Sequence, residues 1–314
     1  MGAYVVRRIA GMIPTLVIVA MISFLLIHLV PGDPAIAMLG GDATPEQLSA
    51  LRRDMGLDRP LFYQFVAWFS RVLHGNLGQS YYLGRPVAQA IAERLPATFS
   101  LAVLALAFAV AIGVPSGIAA AVNHNSMLDQ LVMGVALLGV SLPGFWVGLS
   151  LILMFSVKLG LLPTGGYVPF SENPVDCLVH MIMPAVSLGF LQAGLIARMA
   201  RSSMLEVIGQ DYVRTAKAKG LMPRSVVMKH ALRNAAVPIV TVVGNSFSVL
   251  LGGAAVVETV FTYPGLGRLV VLAVQRRDYP LVQGAILFLA ATCVLVNLLV
   301  DLCYCFIDPR IRFK

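Results

Sequence analysis

The chain reads as an all-α integral membrane protein: six spanning helices, both termini in the cytoplasm, and a small helical extracytoplasmic insert after the first span. Three observations predict this class. The composition is 58% hydrophobic and only 12% charged, with a mean hydropathy of +0.84, whereas a soluble domain carries about 25% charged residues. Apolar runs of about 20 residues recur, the length that crosses a hydrocarbon core of about 30 Å. Basic residues gather on alternate connections, as the positive-inside rule requires.

The first span begins after Arg7 and Arg8 and runs to about residue 30. The two arginines place the N-terminus inside. Ala35-Ile36-Ala37 resembles a signal-cleavage site, but the apolar run is too long for a signal core. Residues 31–95 form the insert. PGDP at 31–34 breaks the helix, and basic and acidic side chains then balance. Thr44-Pro45-Glu46-Gln47 is a helix start, with Thr44 as N-cap, Pro45 at the first position and Gln47 three residues on. Gly56 ends that helix, residues 61–73 form an amphipathic helix with Phe62, Phe65, Trp68 and Phe69, and residues 74–80 turn. Long loops translocate largely regardless of charge, so the arginines here do not oppose the topology.

Residues 96–307 form the core, with spans at about 97–122, 128–157, 178–199, 235–257 and 281–307. The third is interrupted by SLPG at 141–144. Proline and glycine inside spans mark either packing kinks or bends beside a cavity. The inner connection 200–234 and the tail 308–314 are basic, while the outer loops 158–180 and 258–280 together carry Lys158, Arg268, Arg276 and Arg277 against Glu172, Asp176, Glu258 and Asp278. Connection 123–127 holds no Lys or Arg and gives no orientation signal.

The inner connection is the most informative stretch. Arg198, Arg201, Arg214, Lys217, Lys219, Arg224, Lys229 and Arg233 stand against Glu206 and Asp211. Met204, Ile208, Tyr212 and Ala216 recur every four residues, a helical stripe. Gly220 ends that helix and Pro223 starts another, predicting short helices at 204–219 and 223–232. Charge alone fits a solvated loop equally well; the paired-helix pattern points to a docking surface.

The search for chemistry excludes more than it finds. No GxxxxGK[ST] occurs, so no Walker phosphate site is expected. The five histidines and four cysteines lack ligand spacing, so no metal and no disulfide framework are expected. The excess of positive charge, +8 overall, sits beside apolar spans rather than on a nucleic-acid face. Within spans, Gln192, Asn245, Ser246, Ser248, Asn297 and Asp301 are costly against lipid and are expected to face the bundle interior. Asn297 and Asp301 share one helix face, and a structural partnership of Asp301 with an arginine is favoured over a proton relay. Ser141, Pro143, Gln192, Asn245 and Ser248 are the pathway candidates.

The inner connection resembles the coupling ("EAA") loop of importer-type ABC permeases. With Gly220 as the anchoring glycine, Arg214, Thr215 and Ala216 fall on the Glu-Ala-Ala positions, and His230 to Arg233 on Ile-x-Leu-Pro. Ala216, Gly220 and Leu232 match literally. The B-type permeases of dipeptide, oligopeptide, glutathione and nickel importers are similar along nearly the whole chain. LVPGDPA (29–35), GLDRPLFYQF (56–65), LPATFSLA (95–102), DYVRTAKAKGL (211–221), KHALRNAAVPIVT (229–241), VETVFTYPGLGRL (257–269), RDYPLVQG (277–284) and DPRIR (308–312) recur in order.

The resemblance implies a type I ABC importer permease fold in a bacterial inner membrane. It implies a second homologous permease, two cytoplasmic ATPases that bind ATP and Mg, and an extracytoplasmic binding protein. No cofactor and no ATPase site are expected in this chain. Tyr212, Arg214, Thr215, Ala216, Lys217, Gly220, His230 and Leu232 would couple to an ATPase. Glu258, Tyr263, Pro264, Gly265 and Arg268 would face the binding protein. Peptides are the expected substrate, with nickel or glutathione as alternatives. A secondary transporter would need coupling-ion residues in mid-membrane, and a membrane enzyme a catalytic set. Neither is visible.

Overall fold

A computed structural model describes residues 2–29, 34–39 and 43–307, without the side chains of residues 2–7, 9, 27, 29, 34, 37, 38, 55 and 301–307. The sequence readings for residues 31–33, for the Asp301 side chain and for the tail 308–314 lie outside the described residues. The described chain is helical apart from one two-stranded hairpin. By length and composition four described helices can cross a membrane, or five if one bent pair counts as a single span. A shorter apolar stretch, Ala10–Leu26, lies within the first helix. The chain divides into two units, residues 1–96 with 265–294, and residues 97–264 with 295–314.

The first unit holds α1 (Gly2–Leu29), α2 (Pro34–Leu39), α3 (Pro45–Met55) and α4 (Leu61–Leu73). Strands β1 (Gln79–Ser80) and β2 (Arg85–Pro86) follow, antiparallel. The start of α5 (Val87–Val122) also belongs here. The Thr44 capping box forms as the sequence predicts: Gln47 N–H donates to Thr44 Oγ1 at 3.3 Å and Thr44 N–H to Gln47 Oε1 at 3.0 Å. Gly56 takes the left-handed conformation at φ 70° and caps α3. Helix α4 lays Phe65 and Trp68 on Phe24 of α1, with ring centroids 5.5 and 5.8 Å apart.

The later part of this unit, formed by α12 (Leu266–Gln275) and the start of α13 (Tyr279–Ile307), packs Leu266, Leu269, Ala273 and Leu281 against Val87 and Ile91 of α5. Asp278 holds the hairpin to α13. Its buried carboxylate accepts from Ser80 Oγ at 2.6 Å, Tyr82 N–H at 3.1 Å and Leu281 N–H at 3.2 Å. Asp278→Ala leaves three donors without their acceptor, each costing about 1–3 kcal/mol if it stays buried. We expect faster amide exchange at Tyr82 and Leu281, with exchange in residues 211–218 unchanged.

The second unit is built around α8 (Pro174–Ile208), which packs on α6 (Met127–Ser141), α7 (Gly144–Leu151) and α11 (Leu232–Val260). Small residues set its spacing. A Cβ on Gly113 would stand 2.8 Å from the Ala193 carbonyl oxygen, and one on Gly194 2.6 Å from that of Ala136. Gly117 approaches Ala197 and Ala200 as closely, so Gly113 and Gly117 form a small-xxx-small seam. Gly117→Leu must push α5 from α8; a cost of about 1–3 kcal/mol is expected as a lower detergent melting temperature.

The third span, expected at 128–157 with an interruption at 141–144, is sharply bent there. Helix α6 ends at Ser141, and α7 with its π-helical continuation Ile152–Lys158 leaves at 103°. Pro143 forces Leu142 into extended geometry (φ −86°, ψ 130°). Ser187 Oγ of α8 then donates to the Gly144 carbonyl at 2.7 Å and fixes the bend.

Candidate coupling site

The basic connection is shorter and more rigid than its charge suggests. Helix α8 continues through Met204 and ends at Ile208. Gln210 is extended (φ −78°, ψ 151°), and α9 (Asp211–Ala218) has eight residues. The helix expected at 204–219 is therefore two helices with a break at 209–210. Gly220, at φ 77°, turns the chain after α9, and its N–H donates to the Lys217 carbonyl at 3.0 Å. Pro223 does start a helix, as its pattern predicts. That helix, α10 (Pro223–Ser225), runs through the π turn Val226–Ala231 straight into α11. The expected separate helix at 223–232 is thus the first part of a 38-residue helix, Pro223–Val260, long and apolar enough to cross a membrane.

Helix α9 is anchored on one face. Val213 and Ala216 are buried among Met204, Val207, Val226, Ala231 and Ala235. Asn234 Nδ2 donates to Tyr212 Oη at 2.7 Å and to the His230 carbonyl at 3.1 Å, tying α9 to the base of α11. The other face is open: Arg214, Thr215, Lys217, Lys219, Gly220, Leu221, Met222, Arg224 and Lys229 are exposed, Met222 at 77%. The Arg214–Asp211 pair at 3.6 Å is solvent-exposed and adds little stability.

Of the eight predicted coupling residues, Tyr212, Arg214, Thr215, Lys217 and Gly220 are exposed, and His230 and Leu232 are half-buried. Ala216 is only 7% exposed. Its small side chain lets α9 seat on the core and presents nothing outward. The expected stripe also fails at Tyr212, which is exposed; Val213 takes the inward position.

Arg201 turns from the basic surface toward α6. Its Nε donates to Asp129 Oδ1 at 2.5 Å and its Nη2 to Asp129 Oδ2 at 2.7 Å. Asn125 N–H adds a bond to Oδ2 at 3.0 Å from a left-handed φ of 63°. A guanidinium only donates, so His124 Nδ1, 3.1 Å from Arg201 Nη2, accepts there. The connection that carries no orientation signal thus receives an arginine from α8.

The other candidates scatter. Gln192 and Ser246 are buried, as expected of polar residues in spans. Asn245 and Asn297 are exposed on this chain, and Ser248 donates to Asn297 Oδ1 at 2.9 Å. Ser141 and Pro143 are exposed at the bend, and Ser141 donates to its own Leu137 carbonyl at 2.9 Å.

Three residues expected to face a binding protein are buried instead: Glu258 and Tyr263 at 0%, and Gly265. Thr98 Oγ1 donates to Glu258 at 2.7 Å, which satisfies a carboxylate that solvent cannot. Tyr263 meets Tyr167 edge-on at 5.1 Å, and burial pushes its phenol well above the usual range. Pro264 and Arg268 are half-buried.

Residues 113–313 match the family described as binding-protein-dependent transport system inner membrane component, and residues 1–102 match its N-terminal family. The chain belongs to this family. It is a permease subunit of an ABC importer of the inner membrane. The dipeptide transport system permease protein DppB of Escherichia coli (strain K12) is 43% identical over 335 residues, covering 99% of both chains. A Brucella abortus (strain 2308) protein named for a peptide transport system permease is 48% identical over 313 residues and 100% of both. Among solved structures, the inward-facing MetNI methionine ABC transporter aligns with a TM-score of 0.56. It shares 20% identity over 70% of this chain and 97% of that one, which speaks for the fold alone.

Proposed function

We propose that this permease forms half of the translocation pathway of a peptide importer. It would pair with a second homologous permease, take substrate from an extracytoplasmic binding protein, and be driven by two ATPases that hold the ATP and Mg. The observation that carries the coupling role is α9: a short helix seated on the ends of two membrane helices, its outer face basic and its tip apolar. Such an element passes a push to α8 and α11 as rigid bodies rather than absorbing it. Exposed Asn245 and Asn297, costly against lipid, fit a face that a second permease or the pathway covers.

Full-length relatives named for peptide and dipeptide transport support peptides over nickel or glutathione. With both termini cytoplasmic, α9 lies on the ATPase side. Purification of the tagged chain from membranes tests the assembly. A second permease and ATPases should co-purify and be lost when residues 204–232 are deleted. A chain that purifies alone and still transports would refute it; ligand binding by the cognate binding protein separates peptide from nickel.

A further inference from the structure

The first unit holds a half-open cavity of about 230 Å³ that the coupling site does not involve. Its lining falls into three parts. Phe24 and Trp68 form an aromatic wall. Asp54, Arg71 and Tyr81 bring charge of both signs and a phenol to the more exposed side, where Tyr81 Oη donates to Asp54 Oδ2 at 3.1 Å. Burial, then Asp54, pushes Tyr81 up to about 12, so the phenol stays protonated. Gln283, only 4% exposed, is among the polar groups of the third part.

Gln283 is the informative residue. Its Nε2 donates to the carbonyls of Ser23 and Phe24 on α1, at 3.2 and 3.5 Å. Its Oε1 accepts no hydrogen bond among the described residues. Gln64, also buried and lining the cavity, is by contrast committed: its Nε2 serves the Leu57 and Arg59 carbonyls, and its Oε1 lies 3.2 Å from His28 Nε2. This oxygen has no protein donor there and is reached from the cavity, so it can accept from a ligand or from water.

We propose that this cavity binds a small zwitterion with a primary ammonium, of amino-acid to dipeptide size. The ammonium donates to Gln283 Oε1 against the faces of Phe24 and Trp68, which favour a cation. The carboxylate pairs with Arg71. The volume sits below the ~300–1,000 Å³ of pockets for drug-sized ligands, which sets the size. The assignment is independent of what the importer carries.

Equilibrium dialysis of the purified, nanodisc-embedded permease–ATPase complex, without binding protein, tests it with radiolabelled alanine, dialanine and N-acetyl-dialanine. Saturable binding of alanine, dialanine or both is expected, weakened about tenfold or more by Arg71→Gln, by Gln283→Leu and by N-acetylation. Arg71 is exposed, so Arg71→Gln keeps the test readable if Gln283→Leu fails to fold. ATP hydrolysis stimulated by the binding protein, measured separately, reports that each variant complex is intact. Three outcomes overturn the proposal: no saturable binding below about 10 mM, binding unchanged in both variants, or equal binding of the acetylated peptide. The cavity would then be a hydrated gap.

Discussion

Reversing charge on α9, Arg214→Glu with Lys217→Glu, is expected to cut uptake about tenfold or more while ATP hydrolysis continues. Both side chains are exposed, and surface changes of this kind usually alter stability by less than about 0.5 kcal/mol. Like-charge juxtaposition across an interface costs several kcal/mol, far above the ~1.4 kcal/mol that makes a factor of ten. The loss therefore falls on docking. Gly220→Val acts on the same step differently. It leaves every charge in place but puts a β-branched residue at φ 77°, a conformation that costs about 1–2 kcal/mol with a Cβ. The turn that aims Leu221 and Met222 outward then shifts. Gly220→Pro is harsher, because proline holds φ near −65°. In proteoliposomes carrying the whole complex, the expected signature is ATP turnover without peptide accumulation. Wild-type uptake by these variants, at normal levels of assembled complex, would show that α9 is not the coupling element.

What could be read in the chain was local. Thr44 with Gln47, Gly56 and Gly220 each specify structure within a few residues, and each appears as expected; the helix at 61–73 forms too, but Phe62 of its apolar face is 71% exposed and Gln64 is buried. The break at 209–210 was hidden because Met204, Ile208, Tyr212 and Ala216 keep helical spacing straight across it. Val213, not Tyr212, is buried, since the α9 axis no longer continues that of α8. Pro143 announced a break, but its angle of 103° depends on Ser187 of α8, distant in sequence. Glu258 and Tyr263 look like an exposed motif until Thr98 and Tyr167 are placed beside them. The unpartnered oxygen of Gln283 likewise exists only because α1 uses its nitrogen.

Asp129→Ala is expected to destabilise the second unit strongly. Asp129 is 3% exposed and holds Arg201 by a two-pronged contact across 72 positions of sequence. Removing one partner of such a pair leaves a charge that solvent reaches only in part, a loss of about 3–5 kcal/mol when the site is fully buried. The Arg201 side chain is 24% exposed, so the lower end, ~3 kcal/mol, is expected. The effect also reaches α9, because Arg201 lies only a few residues before Met204 and Val207, which seat Val213 and Ala216. Arg201→Met leaves Asp129 with Asn125 N–H and with His124 Nδ1, 3.3 Å from its Oδ2, and is expected to destabilise less. The double variant Asp129→Leu with Arg201→Met removes both charges and should recover much of the loss, since a buried pair replaced by apolar side chains is often neutral. Detergent melting temperatures of the four chains make the cycle. A double variant as unstable as the sum of the singles would mean that the two residues act separately. Recovered stability with uptake still impaired would assign the pair a second task, holding the inner end of α8 in register while α9 is pushed.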